Sequence, residues 1–174
     1  MDVRVRLVEQ ADAQVLAGLL AENREHLAPW DPEQPPEFYT AQGQRRSLEA
    51  ALVRHEAGTS VPLVIELGDR VVGRVSVNDV VRGAFQSAHL GYWVSHDVTG
   101  RGVATAAVAA AVRLAFDELR LHRLQADTLV HNLASQKVLQ HNGFTLIGRA
   151  PTYLRIAGRW QDCLLHQRIA DPAG

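Results

Sequence analysis

The segment QSAHLGYWVSHDVTGRGVATAAVAAAVRLAFDELRLHRLQADTLV, residues 86–130, decides the fold of this chain. It begins with the strand-like run Gln86–Ser95, continues through the Ala-rich helical run Gly100–Leu119, and ends in a second strand-like run, Arg123–Val130. A strand, a helix and a strand that pair in this order do so in parallel, through a right-handed crossover. We therefore expect one parallel strand–helix–strand unit.

The segments on both sides of this unit predict a sheet that is otherwise antiparallel. The loop Ala28–Pro36 carries four prolines and separates two helices. Hydrophobic alternation and helical spacing give these flanking elements: strands Val3–Val8, Pro62–Leu67, Arg70–Val81, Phe144–Leu154 and Trp160–Ile169, and helices Ala11–Leu27, Glu37–Glu56 and Leu133–Asn142. The result is a single α+β domain over residues 1–174, with a mixed sheet and helices on both faces.

The composition excludes several classes of protein. The formal net charge is −1 and there is no Lys/Arg run, so direct binding to nucleic acid is not expected. The longest apolar stretch, Val103–Val112, is too short to span a membrane. No signal-peptide core is found at the N-terminus, and we expect a cytoplasmic location. The one cysteine, Cys163, lies in a strand-like segment and is predicted to be a packing residue.

The loop HDVTGRGVATAAV, residues 96–108, is a candidate phosphate site. Gly100 and Gly102 allow a close approach of the backbone to a ligand, and the N–H groups of the following helix are unpaired. Arg101 adds a cation and Thr105 a hydroxyl group. A plain connection is the simpler alternative. A P-loop would need a lysine, and a dinucleotide fingerprint would need a third glycine where Thr105 stands.

The loop and five other segments resemble a known family. Thr99–Ala104 resembles the Gln/Arg-x-x-Gly-x-Gly/Ala motif of the GNAT acetyltransferase superfamily, with Thr99 in place of Gln or Arg. The other segments are similar to the RimJ/RimL branch, which acetylates N-termini of ribosomal proteins, and are closest to its RimJ members: AENREHLAPWDP, VVRGAF, LGYWV, HNLASQKVLQHNGF and IAGRWQDCLL. The resemblance implies a GNAT fold with a seven-stranded sheet. It also implies acetyl-CoA as co-substrate, bound in a V-shaped opening between two parallel strands, and no metal.

The resemblance also implies which residues hold the co-substrate. The N–H of Val94 is the group expected to polarise the thioester carbonyl, and Asn132 is expected to hold the pantetheine arm. The cofactor-binding residues predicted in this way are Trp93, Val94, Ser95, Thr99, Gly100, Arg101, Gly102, Val103, Ala104, Thr105, Asn132 and Ser135. A simpler interpretation makes Asn132 a helix N-cap and Ser135 an exposed residue of the first turn.

Direct attack of an amine on a thioester needs a base and a proton donor. Many family members donate the proton from a tyrosine in the last helix, where this chain has Leu139; Ser135 matches the serine of the RimJ/RimL branch. His89 is the candidate base, because an ordinary histidine titrates near neutral pH. A water chain is the alternative to His89. Tyr92 is predicted to be a packing residue.

Only three residues are predicted to bind the acceptor amine. Trp30 and Asp31 lie in the Pro-rich loop, and Asn78 is a polar residue in an apolar strand; these three are the predicted substrate-binding residues. Asp31 could instead pair with Arg45 or Arg46. The favoured acceptor is the N-terminal α-amine of a protein. A small amine, such as an antibiotic or amino acid, and a non-catalytic CoA-binding module remain alternatives, and a homodimer is possible.

Overall fold

The computed structural model describes residues 2–170, which form one sheet with helices on both of its faces. The strands are β1 (Val3–Leu7), β2 (Val61–Leu67), β3 (Arg70–Val81), β4 (Ser87–Val94), β5 (Arg123–Leu129), β6 (Thr145–Ile156) and β7 (Arg159–Ile169). The α-helices are α1 (Ala13–Glu22), α2 (Arg24–Leu27), α3 (Ala41–Glu56), α4 (Val103–Arg113) and α5 (Leu133–His141). No helix within residues 2–170 is both long enough and apolar enough to cross a membrane.

The seven strands follow the order β1-β2-β3-β4-β5-β7-β6. Only β4 and β5 are parallel among the neighbouring pairs of the described chain, and α4 connects them. This arrangement confirms the predicted α+β class, the mixed and mostly antiparallel sheet, and the single parallel unit.

The parallel pair separates soon after it begins. β4 and β5 pair only from Ser87 opposite Arg123 to His89 opposite Gln125. Beyond His89, β5 continues to pair with β7 as far as Leu129, whereas β4 stays with β3 as far as Val94. The two strands therefore leave a V-shaped opening between them at the end of β4 that leads into α4.

The two faces of the sheet are covered by different helices. Ala107, Val108 and Ala111 of α4 pack on the large core cluster at one face, where small side chains let the helix lie close to the strands. Leu16 of α1 and Leu48 of α3 cover β2 and β3 on the other face. The part of this second face over β5 and β7 is occupied by a smaller cluster that the Pro-rich loop contacts through Trp30.

Three helices differ in extent from the sequence prediction. The predicted helix over 11–27 is interrupted at Asn23, whose side chain binds the residues that directly follow β4. The Asn23 Nδ2 donates to the Ser95 hydroxyl, and the Asn23 Oδ1 accepts from the His96 N–H. The helix α3 starts only at Ala41, after a 3₁₀ turn and a Thr40 N-cap. The α4 segment ends at Arg113 and continues as one π-helical turn.

Candidate active site

The loop between β4 and α4 presents unpaired backbone N–H groups. A 3₁₀ turn, His96–Val98, leads into Gly100 and Gly102, which adopt left-handed φ angles of 71° and 78°. Within residues 2–170, no backbone N–H from Gly100 to Thr105 donates a hydrogen bond to another group of the protein. The positive end of the α4 dipole lies at the same place. The loop is therefore suited to bind a pyrophosphate through its backbone.

The side chains of this loop provide fewer polar groups for a ligand than its backbone does. The Thr99 hydroxyl donates to the His96 carbonyl at 2.7 Å, so it is turned back onto the loop. Val103 is buried in the core, and Ala104 has no polar side chain. Arg101 is exposed and is the one cation of the loop. We therefore expect ligand contacts here from the backbone and from Arg101.

The edge of β4 at the opening carries N–H groups without a strand partner. Ser95 donates its N–H to the Val72 carbonyl of β3 at 2.7 Å. Because successive N–H groups of a strand point to opposite sides, the N–H of Trp93 also faces β3, whereas those of Tyr92 and Val94 face the opening. The N–H of Val94 can therefore polarise a carbonyl oxygen at the opening, whereas the N–H groups of Trp93 and Ser95 face β3.

The N-terminus of α5 lies beside the same opening. Asn132 accepts a hydrogen bond from the Ser135 N–H at 3.1 Å, which confirms its role as N-cap. The Ser135 hydroxyl lies 2.7 Å from the Tyr92 hydroxyl, which comes from β4. Leu139, one turn further along α5, is fully buried in the core. Two hydroxyl groups thus meet next to the opening, one turn before Leu139.

Tyr92 packs on the core, as predicted, and its hydroxyl also forms a hydrogen bond. Its ring lies against the main core, but its hydroxyl is hydrogen-bonded to Ser135. Burial raises the pKa of Tyr92 to about 12, so the phenol is protonated at neutral pH and can donate. Sequence spacing does not show this pairing, because the two residues are 43 positions apart.

His89 lies where β4 and β5 begin to separate, on the face opposite α4. Its Nδ1 is 3.5 Å from Oδ2 of Asp127 on β5, and about one third of its side chain is exposed. The interaction with Asp127 raises the pKa of His89 above its ordinary value, against the opposing effect of burial. His89 is a candidate base from the sequence, but its acidic partner is visible only in the structure. An imidazole held by a carboxylate in this way can accept a proton.

A cavity of about 370 Å³ lies on the face that carries His89. The Trp93 side chain forms part of its wall, together with Arg74 of β3, Phe38, and Asp31 of the Pro-rich loop. No ion pair joins Asp31 to any group within residues 2–170, so the suggested pairing with Arg45 or Arg46 is wrong. Burial raises the pKa of Asp31 to about 6.

The other two predicted substrate residues have structural partners. Trp30 packs on the cluster of Leu129, Ile156 and Cys163, and its ring lies 5.4 Å from that of His131. The Asn78 amide is engaged at both ends, since it accepts from Ser60 and donates to Ser76. Neither side chain lines the cavity, and only Asp31 of the three does so.

Comparison with known proteins agrees with this geometry. Residues 2–145 match the family described as acetyltransferase (GNAT) domain. The chain is 35% identical to a probable N-acetyltransferase, YjcK, of Bacillus subtilis, over 97% of this chain and 92% of that protein. It is 33% identical to the [ribosomal protein uS5]-alanine N-acetyltransferase of Escherichia coli, over 92% of this chain and 84% of the relative.

A solved structure extends the match to the whole fold. Mycobacterium smegmatis RimJ in complex with CoA-disulfide superposes with a TM-score of 0.94 at 33% identity, over 97% of this chain and 82% of that one. The family match covers most of the chain, and the described loop and opening have the donors that CoA requires. The chain belongs to the GNAT acetyltransferase family, and is an N-acetyltransferase of the RimJ/RimL type that takes its acetyl group from acetyl-CoA.

Proposed function

We propose that this enzyme acetylates the N-terminal α-amine of a ribosomal protein, in the cytoplasm. The observation that carries the proposal is the opening between β4 and β5, which has the free N–H of Val94 at its wide end, the Ser135 hydroxyl beside Tyr92 of β4, and His89 at its narrow end. The relatives that act on ribosomal-protein alanine support the choice of acceptor. A cavity of about 370 Å³ beside Trp93 is available for the acceptor.

The enzyme first holds the donor. Acetyl-CoA supplies an acetyl group activated as a thioester, whose carbonyl carbon the amine attacks. The N–H groups of Gly100 to Thr105 bind the pyrophosphate, with Arg101 as the nearby cation. The side-chain amide of Asn132 contacts the pantetheine arm. The Val94 N–H donates to the thioester oxygen and stabilises the negative charge that develops there.

The amine must lose a proton as the new C–N bond forms. His89 accepts this proton and Asp127 stabilises the resulting imidazolium, since a carboxylate next to the ring favours its charged form. The Pro-rich loop places Asp31 at the acceptor cavity, where its carboxylate attracts the incoming ammonium group.

The C–S bond then breaks, and the leaving sulfur needs a proton. Ser135 donates it through its hydroxyl group. The Tyr92 hydroxyl lies within hydrogen-bond distance of both the hydroxyl and the carbonyl oxygen of Ser135, so a Ser135 hydroxyl that donates to sulfur can accept from Tyr92. Tyr92 therefore supplies the proton that restores Ser135. The phenol recovers its own proton from solvent, which its high pKa favours.

The test is a steady-state assay of CoA release with acetyl-CoA as donor. Peptides that begin with Ala, Ser or Met would be compared with a panel of small amines. Turnover on peptides alone supports the proposal, and turnover on small amines alone contradicts it in favour of metabolite or antibiotic modification. Ser135→Ala and His89→Gln serve as controls, because an enzyme loses turnover in these variants but keeps CoA binding. A module that only binds CoA has no turnover to lose.

A further inference from the structure

The acceptor cavity contains a guanidinium group without a protein partner. Arg74 lines the cavity from β3, across from Trp93 in the neighbouring strand. It forms no hydrogen bond or ion pair with any side chain in the described part of the protein. A guanidinium carries five N–H donors, and leaving them unpaired in a half-buried position is unfavourable.

The surroundings of Arg74 make this arrangement more unfavourable still. Burial is the main cause that lowers the pKa of Arg74, and the nearby cation Arg54 lowers it further. Asp12 is the acid that acts in the opposite direction. However, both carboxylate oxygens of Asp12 already accept from Arg6 at 2.8 Å, and one also accepts from the Glu9 N–H. Asp12 is therefore already engaged and is not free to pair with Arg74.

The cavity is divided into a basic and an acidic part. Asp31 lines the same cavity, but within residues 2–170 it forms no ion pair with Arg74. The two charges therefore do not neutralise each other by direct contact. A ligand that satisfies both must carry a positive group at one end and a negative group at the other. A guanidinium prefers a planar carboxylate, which it binds through two parallel hydrogen bonds.

We propose that Arg74 is the carboxylate-binding residue of the acceptor site, so that preferred acceptors carry a carboxylate close to the reacting amine. This inference rests on the proposed function for the position of the amine. Trp93 connects the two sites, because its side chain lines the cavity while its neighbour Val94 faces the opening. The carboxylate belongs either to an acidic side chain near a peptide N-terminus or to a free amino acid, and the chemistry at Arg74 is the same.

The test uses matched acceptors with the full-length enzyme. Three peptides would differ only at the second residue, which is Glu, Gln or Lys, and free alanine would be compared with alaninamide. We expect the Glu peptide to exceed the Gln peptide about tenfold in kcat/KM, as for one charge-assisted contact. In Arg74→Gln this preference disappears because the Glu peptide alone is affected, and Arg74→Lys restores part of it. If free alanine is preferred over its amide instead, the carboxylate source is a free amino acid.

A matched variant separates recognition from a general loss of structure. Arg24→Gln also removes a cation from the cavity wall, but Arg24 is already engaged with the Tyr39 ring at 4.6 Å. It should keep the preference for Glu. Equal kcat/KM for all three peptides and for both alanine compounds in the wild type, or an equal loss for all acceptors in Arg74→Gln, would overturn the inference.

Binding distinguishes failure of the inference from failure of the proposed function. If no peptide is acetylated, the proposed function fails, but Arg74 is still tested by calorimetry of the Glu and Gln peptides and of both alanine compounds with the CoA-loaded protein. A tighter Kd for a carboxylate-bearing ligand that Arg74→Gln abolishes supports the inference. Equal Kd values within both pairs of ligands overturn it.

Discussion

At the scale of single residues, the contact between Ser135 and Tyr92 is the feature that matters most for the chemistry. We expect Ser135→Ala to lower kcat about 100-fold and Tyr92→Phe to lower it about tenfold, because the first removes the proton donor and the second removes its supply. Steady-state kinetics at saturating acetyl-CoA checks both values. The double variant should be no slower than Ser135→Ala alone, since the two hydroxyl groups act in series.

The matched control for this prediction is Tyr153→Phe. Tyr153 is 39% exposed and its hydroxyl makes no hydrogen bond within residues 2–170, so kcat should not change. A Tyr92→Phe enzyme with the wild-type kcat would contradict the prediction and leave Ser135 to act alone.

His89 makes activity depend on pH in a direction that the structure defines. As a base it must be neutral, so kcat/KM should rise with pH through its pKa, which the Asp127 carboxylate holds above the ordinary 6.5. Asp127→Asn removes the largest cause of this shift, and the rise should then occur at lower pH. Profiles of kcat/KM against pH for the wild type and Asp127→Asn test this expectation. In His131→Gln, which changes a histidine that packs against Trp30, the rise should stay in place. A profile that Asp127→Asn leaves unmoved would favour a water chain.

Asp31 links acceptor binding to stability. Burial raises the pKa of Asp31 from 3.8 to about 6, so folding favours its protonated form. The free energy of unfolding therefore falls as the pH rises from about 4 to about 6. We expect Asp31→Asn to increase the free energy of unfolding by about 3 kcal/mol at pH 7 and by less than about 1 kcal/mol at pH 4. Denaturant titrations at both pH values measure this difference. Glu33→Gln, which changes an exposed acid of the same loop, should show no such effect. A gain of similar size at pH 4 would contradict the explanation.

At the scale of elements, the β4–α4 loop depends on a glycine that no other residue replaces without strain. Gly102 has a φ of 78° at the N-terminus of α4, and Gly58 has a φ of 71° just after α3. Alanine at either position should destabilise the fold by about 1 kcal/mol. Only Gly102→Ala should also weaken acetyl-CoA binding, because it tilts the loop N–H groups. Calorimetry and thermal unfolding of both variants separate the two effects. Equal acetyl-CoA affinity in Gly102→Ala and Gly58→Ala would contradict a phosphate-binding role for the loop backbone.

The elements themselves could be predicted where local pattern decides them. The parallel unit, the glycines of its loop and the Asn132 cap all follow from spacing within a few residues. The break at Asn23 does not, because its cause is the end of β4, 72 residues further along the chain. The same holds for Tyr92 and Ser135, whose hydroxyl groups meet only once β4 and α5 are packed on the same face.

At the scale of the whole molecule, the donor side was predictable and the acceptor side was not. The acetyl-CoA side of the site is built from one continuous stretch of chain, the end of β4 and the loop that leads into α4. Its motif can therefore be recognised in the sequence. The acceptor cavity combines the Pro-rich loop, β3 and β4, which are distant in sequence. Arg74 alternates with buried valines and thus has the pattern of a solvent-facing strand residue. Its lack of a partner becomes visible only when the groups around it are known.

Because β4 and β5 separate after three residue pairs, the middle of the sheet contains a gap in strand pairing. Main-chain groups that neighbouring strands would normally satisfy, such as the N–H of Val94, face water in the middle of the molecule instead of at its edge. The pantetheine arm, which is itself an amide chain, can fill the gap as a short additional strand. Because the ligand binds only the folded protein, the free energy of unfolding rises with the logarithm of the ligand concentration. A cell poor in acetyl-CoA would hold this protein in a looser form that proteases degrade sooner, so its abundance would follow the supply of its own substrate.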